Sequence, residues 1–214
     1  MKITLFYAPI ACSLVPLISL YESGADFEVK SVNMRKQEQL SPEYLKLNPK
    51  HKVPTLLIDG RPLTENVAMA LWMTRAFPHA GILPSDPDDE VRAVSIMAWC
   101  ASGIHPHLTP NARPANYCDL PGSEESVKRV ANVMLFEDLR IADEMLAGRE
   151  WFFDHFTAAD AYFYWCFMRA ISFKLDLSEF KNCHSHYQRM LARPSVQKLV
   201  EHQQKVMAAF ASAA

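Results

Sequence analysis

The 214-residue chain lacks the features that mark several classes of protein. It has no basic run, and its net charge of -2 gives a nucleic-acid partner no electrostatic support. Its most apolar stretch, residues 161–168, is far too short to span a bilayer, and no leader-like segment precedes the first strand-like run. We therefore expect a cytoplasmic globular protein whose partners include neither a nucleic acid nor a membrane.

Paired cysteines and metal-ligand spacings are also missing. The five cysteines form an odd, dispersed set without a C-x-x-C, which argues against a disulfide framework and fits a reducing compartment. Val15 stands where a resolving cysteine would follow Cys12, so any redox role of Cys12 uses a single thiol. The two His-x-His pairs have no Cys or carboxylate partner at zinc spacing, and we expect no metal site.

The N-terminal end of the sequence predicts a strand, a turn and the start of a helix. Ile3, Leu5 and Tyr7 alternate as in a strand, a turn follows, and Cys12 and Ser13 open a helix. The first N–H groups of a helix have no helical partner and carry partial positive charge. The sequence therefore predicts a place that favours a thiolate, either that of Cys12 or that of a ligand.

The order of elements predicts two domains. Through residue 77 the pattern reads β-α-β and then α-β-β-α, which indicates a mixed four-stranded sheet, with Asp59-Gly60 as a hairpin turn. A Pro-rich and acidic stretch follows, and after it only helical patterns occur. We expect an α/β domain over 1–78, a linker over 79–88 and an all-helical domain over 89–214. The last helix should end near Phe210, before a frayed Ala-rich tail.

Four motifs in order resemble the cytosolic glutathione transferases, and the first of them is similar to the bacterial beta class. The motifs are residues 6–13 (FYAPIACS), 48–56 (NPKHKVPTL), 63–68 (LTENVA) and 156–162 (FTAADAY). The resemblance implies a thioredoxin-like first domain, glutathione as co-substrate, a detoxifying transferase activity and a homodimer. It also implies a cis bond at Val53-Pro54, with the Val53 backbone pairing with the ligand.

The resemblance further implies which residues bind the ends of glutathione. Glu65 would take its ammonium group, and Asn66, at a helix start, its α-carboxylate. Lys52 matches a position that reaches the glycyl carboxylate, although a solvated loop lysine is an equal alternative. Lys36 lies near another contact position, where a slip of one residue or a solvated charge is the alternative. Tyr7 is expected to be a supporting residue in the strand.

For catalysis, the resemblance implies a cysteine beside the ligand sulfur and a histidine facing it. Cys12 and His105 match these positions, and Ser13 is in range to donate to a thiolate. His105 also falls on a predicted apolar helix face, with members such as Val91 and Ala98. The alternative interpretation of His105 is a buried core histidine. Ile10 and His107 are expected at the site of a small hydrophobic electrophile between the domains.

Two alternatives to conjugation stay open at this stage. One is a glutathione-dependent disulfide reductase or thioltransferase in which Cys12 is the nucleophile. The other is a non-enzymatic binding or stress protein on the same fold, which the presence of Cys12, Pro54 and Glu65 disfavours. In His51, which stands where the family often has Gly, we expect a left-handed backbone conformation.

Overall fold

The computed structural model describes residues 1–212. Its strands are β1 (Ile3–Tyr7), β2 (Glu28–Ser31), β3 (Thr55–Ile58) and β4 (Arg61–Thr64). Its α-helices are α1 (Leu14–Ser23), α2 (Pro42–Leu47), α3 (Asn66–Ala76), α4 (Pro87–Trp99), α5 (His105–Ala112), α6 (Glu124–Met145), α7 (Ala158–Ser172), α8 (Lys181–Ala192) and α9 (Pro194–Ser212). Among the described residues, no helix is both long and apolar enough to cross a membrane.

The sheet is the predicted mixed four-stranded sheet. Its order is β2-β1-β3-β4, with β1 and β2 parallel and the other two pairs antiparallel. Leu5 and Leu56 pair across β1 and β3, and both are fully buried. Asp59 and Gly60 both have positive φ, 48° and 82°, as a tight two-residue hairpin between twisted strands requires.

Local signals set the helix ends as the sequence predicted. Gly24 ends α1 in the left-handed conformation, at φ 66°. The Ser41 side chain accepts a hydrogen bond from the Tyr44 N–H at the start of α2. Thr157 and Asp160 form a capping box at the start of α7, where the Thr157 N–H donates to the Asp160 carboxylate at 2.8 Å.

The chain divides into two compact units, and the division differs from the expected one. The first unit is Met1–Ser85 with the described part of Leu191–Ala214, and the second is Asp86–Met190. We expected all of 89–214 to form the helical domain, but α9 belongs to the first unit. The reason is a long-range anchor: the Arg193 guanidinium donates to both carboxylate oxygens of Glu22 on α1, at 3.1 and 2.9 Å, and Ser195 also donates to that carboxylate.

The end of α9 also differs slightly from the prediction. The helix continues to Ser212, two residues past Phe210. The remaining two residues of the Ala-rich tail lie outside the described part of the chain.

The predicted apolar face of the first helix of the second unit does not match the face that the structure buries. Val91 and Ala98 are exposed, and the buried side chains there include Ala93, Ile96 and Met97. Residues Cys100–Ile104 form a π-helical segment between α4 and α5. The most deeply buried positions, Ala93, Met97, Cys100, Ile104 and Leu108, keep a helical spacing through this segment, so the predicted stripe had a suitable period but began at the wrong residue. His105 is half-buried and lies beside this buried stripe, next to Ile104.

Candidate functional site

The loop between β1 and α1 is closed by the Ser13 side chain. The Ser13 hydroxyl accepts from the Ala8 N–H at 3.0 Å and donates to the Ala8 carbonyl at 3.1 Å, and the residue is fully buried. A hydroxyl has one proton to donate, and here the Ala8 carbonyl takes it. This geometry gives Ser13 a structural use different from the expected donation to a thiolate.

Cys12 lies at the start of α1 as a partly exposed residue with a thiol that resists ionisation. Its Sγ is 3.8 Å from the Val53 carbonyl oxygen. Burial raises the pKa of the Cys12 thiol to about 11, although hydrogen bonding from Asn66 and from its own backbone N–H acts in the opposite direction. At pH 7 a thiol with that pKa is ionised in about one molecule in ten thousand. Burial therefore favours the thiol form of Cys12 over the thiolate at neutral pH.

The loop that precedes β3 presents Val53 beside Cys12. The Val53-Pro54 bond is cis, as predicted. The Tyr44 hydroxyl and the Asn48 side-chain amide both donate to the Lys52 carbonyl, at 2.6 and 2.7 Å, and so fix this loop from α2. His51 has the expected left-handed conformation, with φ 47°.

Glu65 and Asn66 meet Cys12 at the start of α3. Glu65 has a positive φ of 74°, an uncommon conformation for a residue other than glycine and one that is concentrated at functional sites. The Asn66 Nδ2 donates to the Cys12 carbonyl at 3.3 Å. Its Oδ1 is buried and has no hydrogen-bond partner among the described residues. An orphaned buried acceptor costs free energy, so a ligand N–H donor would stabilise this site.

Lys50, which the sequence analysis missed, shows what the Glu65 carboxylate can bind. The Lys50 Nζ is 2.5 Å from Glu65 Oε1 and donates to Thr64 Oγ1 at 3.0 Å. Both charged side chains are more than half exposed. The carboxylate is thus accessible to an ammonium group from solvent. No local pattern signals this pair, because its residues lie on different loops.

Tyr7 and Ile10 share one partner on α9. Tyr7 is fully buried, and its hydroxyl donates to Gln203 Oε1 at 3.1 Å. The Ile10 N–H donates to the same oxygen at 3.0 Å, and Ile10 itself has φ 66°. The His202 ring lies edge-on to the Tyr7 ring, with centroids 5.4 Å apart. Gln203 is a second residue that sequence reasoning missed.

The two predicted lysines lie at the surface of the first unit. Lys36 is exposed, and its backbone N–H donates to Asn33 Oδ1 at 3.2 Å. Lys52 is also exposed, and its positive charge slightly lowers the pKa of the Cys12 thiol. The charge of Lys52 therefore acts on the sulfur position.

The predicted histidines of the second unit have defined neighbours within that unit. The His105 ring lies edge-on to Trp165, with centroids 4.3 Å apart. His107 lies on α5 and places Nδ1 2.6 Å from Asp138 Oδ2, while the Trp99 indole N–H donates to Asp138 Oδ1 at 2.9 Å. Over residues 1–212, no three His, Cys, Asp or Glu side chains are grouped as a metal site would need.

Comparisons with known proteins show the family of the chain. Residues 1–72 match the family model for the glutathione S-transferase N-terminal domain. The chain is 35% identical to glutathione S-transferase GstA of Escherichia coli O157:H7, over 90% of this chain and 94% of that protein.

Solved structures give the same result over nearly the full length. A sphingomonad glutathione S-transferase complexed with glutathione has a TM-score of 0.83 and 29% identity, covering 95% of this chain and 99% of that one. The bacterial beta class enzyme of Sphingomonas chungbukensis has a TM-score of 0.82 and 30% identity, with 95% and 98% covered. The thioredoxin-like fold of the first domain is the one expected, and the chain belongs to the glutathione S-transferase family.

Proposed function

We propose that the protein binds glutathione on its first unit and activates the glutathione thiol for attack on a small hydrophobic electrophile. The observation that carries this proposal is the hydrogen bond from Asn66 Nδ2 to the Cys12 carbonyl, at 3.3 Å. This bond holds the N-terminal ends of α1 and α3 together. The glutathione sulfur, at the start of α1, and the charged γ-glutamyl end, at the start of α3, could therefore bind to neighbouring groups. A relative of the same fold that is complexed with glutathione supports the choice of ligand.

The γ-glutamyl end of glutathione fits the start of α3. Its ammonium group would pair with the Glu65 carboxylate, which already accepts the Lys50 ammonium. Its α-carboxylate would lie at the N–H groups that open α3, where the partial charge favours an anion. The buried Asn66 Oδ1 would accept an N–H from the same ligand end. Lys52 remains the predicted partner of the glycyl carboxylate, and Lys36 remains near a predicted contact position for the tripeptide.

The glutathione sulfur would lie at the start of α1 beside Cys12. Lowering the pKa of a thiol by about two units takes about 2.7 kcal/mol, and a helix N-terminus supplies at most about 2. Burial raises the pKa of the Cys12 thiol, whereas the Cys12 backbone N–H and the Asn66 amide act to lower it, and these two donors would supply the remainder to a glutathione sulfur. We assign Ser13 to holding the loop, because its proton goes to the Ala8 carbonyl.

The reaction that follows from this placement is nucleophilic substitution or addition. With an aryl halide, the thiolate sulfur forms a bond to carbon, and the halide leaves with the bonding electrons. The raised pKa of Cys12 argues against a mechanism in which Cys12 is the attacking nucleophile at neutral pH. The roles of His105, His107 and Ile10 toward the electrophile stay predictions from the family resemblance.

The cellular setting is part of the same proposal. All five cysteines are free, which fits the reducing cytoplasm. A homodimer is proposed from the family resemblance alone.

The pH dependence of turnover tests the proposal. With an aryl chloride as second substrate, kcat reports ionisation of the bound thiol, and we expect an apparent pKa about two units below that of free glutathione. Glu65→Gln should raise the KM for glutathione about tenfold, because one charge-assisted pair is lost. Glu43→Gln, an exposed glutamate on α2, is the matched control and should leave KM unchanged. Turnover that follows the pKa of free glutathione would contradict the proposal.

A further inference from the structure

We propose that Gln203 is a positioning residue for the thiol site: its side-chain oxygen holds the loop before Cys12 in its working conformation. This inference rests on the proposed function, because it assigns a residue that positions the proposed thiol site. Gln203 lies on α9, 193 residues after Ile10, and accepts a hydrogen bond from the Ile10 N–H.

Two donors of different kinds converge on the one Gln203 oxygen. The Ile10 N–H reaches it at 3.0 Å and the Tyr7 hydroxyl at 3.1 Å. A carbonyl oxygen has two lone pairs, so both bonds can form at once. Tyr7 is the last residue of β1, and Ile10 lies in the middle of the loop that follows. By binding both residues, the Gln203 oxygen fixes the direction in which the chain leaves the sheet.

The loop needs an external partner because its conformation is unfavourable on its own. Ile10 has a β-branched side chain at φ 66°, where such residues are outliers. A residue in this conformation persists only where its surroundings determine it. The Ala8–Ser13 hydrogen bonds close the loop below Ile10, and Gln203 holds the peptide of Ile10 itself. Cys12 follows two residues later.

Helix α9 places Gln203 beside the loop that contains Ile10. The double hydrogen bond from Arg193 to Glu22 fixes the beginning of the helix against α1. Ten residues of helix then span about 15 Å, which carries Gln203 to the loop at the other end of α1. His202 packs against the Tyr7 ring, so the ring and the hydroxyl of Tyr7 are held by consecutive residues.

Three variants separate positioning from general stability. Gln203→Met keeps the length and helical preference of the side chain and removes the oxygen. Gln203→Glu keeps an oxygen that accepts both bonds. Gln204→Met changes the exposed neighbour on the same helix and is the matched control. If Gln203→Met does not fold, Gln203→Asn, which withdraws the same amide by one methylene, takes its place.

The first readouts need no glutathione, so they can fail separately from the proposed function. Amide hydrogen exchange should show the Ile10 N–H exchanging several-fold to about tenfold faster in Gln203→Met, since this solvent-accessible amide loses its hydrogen-bond acceptor. The alkylation rate of Cys12 at pH 8 should rise as the loop opens and the thiol becomes less buried. Both effects should be absent in Gln204→Met and largely reversed in Gln203→Glu.

The kinetic readout connects Gln203 to the reaction. We expect kcat/KM for glutathione to fall about tenfold in Gln203→Met, to recover in Gln203→Glu and to stay unchanged in Gln204→Met. Equal Ile10 exchange and equal kcat/KM in Gln203→Met and the unmodified protein would overturn the proposal. If the unmodified protein itself neither binds nor uses glutathione, the proposed function fails, while the exchange and alkylation results still decide whether Gln203 holds the loop.

Discussion

The side-chain amide of Asn66 donates a hydrogen bond to the carbonyl of Cys12, at 3.3 Å and across 54 residues of sequence. This bond joins the start of α3, where the Glu65 carboxylate lies, to the start of α1, where a sulfur would lie. The Asn66 carbonyl oxygen is buried and has no partner among the described residues. The same side chain therefore holds the site together and leaves an acceptor for the ligand.

Removing the Asn66 side-chain amide should weaken glutathione binding. In Asn66→Ala the Cys12 carbonyl loses its donor and the ligand loses an acceptor, so we expect the Kd for glutathione to rise about tenfold or more. Isothermal titration calorimetry measures this change. Asn116→Ala, at an exposed position of the second unit, is the control and should bind as the unmodified protein does. Unchanged affinity in Asn66→Ala would remove Asn66 from the binding site.

Thiol reactivity should follow the two opposite pKa shifts. Hydrogen bonding from Ser123 and from the Leu120 backbone lowers the pKa of Cys118, whereas burial raises that of Cys12 to about 11. Because the thiolate is the reactive form, iodoacetamide at pH 7 should modify Cys118 well before Cys12. The rate at Cys12 should grow about tenfold per pH unit up to about pH 11, because its thiolate fraction does so.

Mass spectrometry of peptides after timed alkylation distinguishes the two cysteines. Cys118→Ser provides the control, since it should remove the fast phase and leave the slow one. Equal rates at pH 7 would mean that the Cys12 thiol is not held in its protonated form. They would also restore the mechanism in which Cys12 attacks a disulfide.

Replacing Cys12 should separate the two chemistries. If glutathione carries the reacting sulfur, Cys12→Ala keeps conjugation to an aryl chloride within about threefold and removes exchange through a mixed disulfide with Cys12. Initial rates with an aryl chloride and with a small disulfide measure the two activities. Cys118→Ala should retain both. Loss of conjugation in Cys12→Ala would make Cys12 the central nucleophile.

The buried Asp160 should be the largest single contributor to stability that the sequence identifies in the second unit. Its carboxylate accepts from the Phe152 N–H, the Thr157 N–H and hydroxyl, and His186, and both Asp160 and His186 are fully buried. Asp160→Ala leaves these donors without an acceptor, so we expect a loss of at least about 3 kcal/mol in the free energy of unfolding. Urea denaturation measures it.

The matched control for Asp160 is Asp154→Ala. Asp154 pairs only with its neighbour His155 in the described structure and is almost fully exposed. Exposed pairs contribute about 0–1 kcal/mol, so the midpoint of unfolding should hardly move. A loss in Asp160→Ala as small as that in Asp154→Ala would show that the buried hydrogen bonds contribute little net stability.

Sequence reasoning succeeded where a few adjacent residues determine the structure. The turn at Asp59-Gly60, the left-handed Gly24 and the capping box of Thr157 and Asp160 all follow from neighbouring side chains. The cis bond at Val53-Pro54 came from the family motif, since such bonds are a minority of X–Pro bonds.

Sequence reasoning failed where residues far apart in the chain determine the structure, and where two faces of one helix are both apolar. Gln203 reaches Ile10 across 193 residues, and the Lys50–Glu65 pair joins two loops, so neither leaves a local pattern. The anchor of Arg193 on Glu22 draws α9 into the first unit, which composition alone could not indicate. The buried face of α4 begins at Ala93 rather than Val91, and the local pattern could not choose between the two faces because both carry apolar residues.

Above all, we propose that the first unit recognises glutathione by its γ-glutamyl end at Glu65 and Asn66. Isothermal titration of the unmodified protein with glutathione and, in parallel, with cysteinylglycine tests it most directly, because the dipeptide keeps the thiol and the glycyl carboxylate but lacks that end. We expect saturable binding of glutathione and an affinity for cysteinylglycine at least about a hundredfold weaker, since an ion pair and a helix N-terminal contact are lost. No binding of glutathione, or equal affinity for the two thiols, would contradict it.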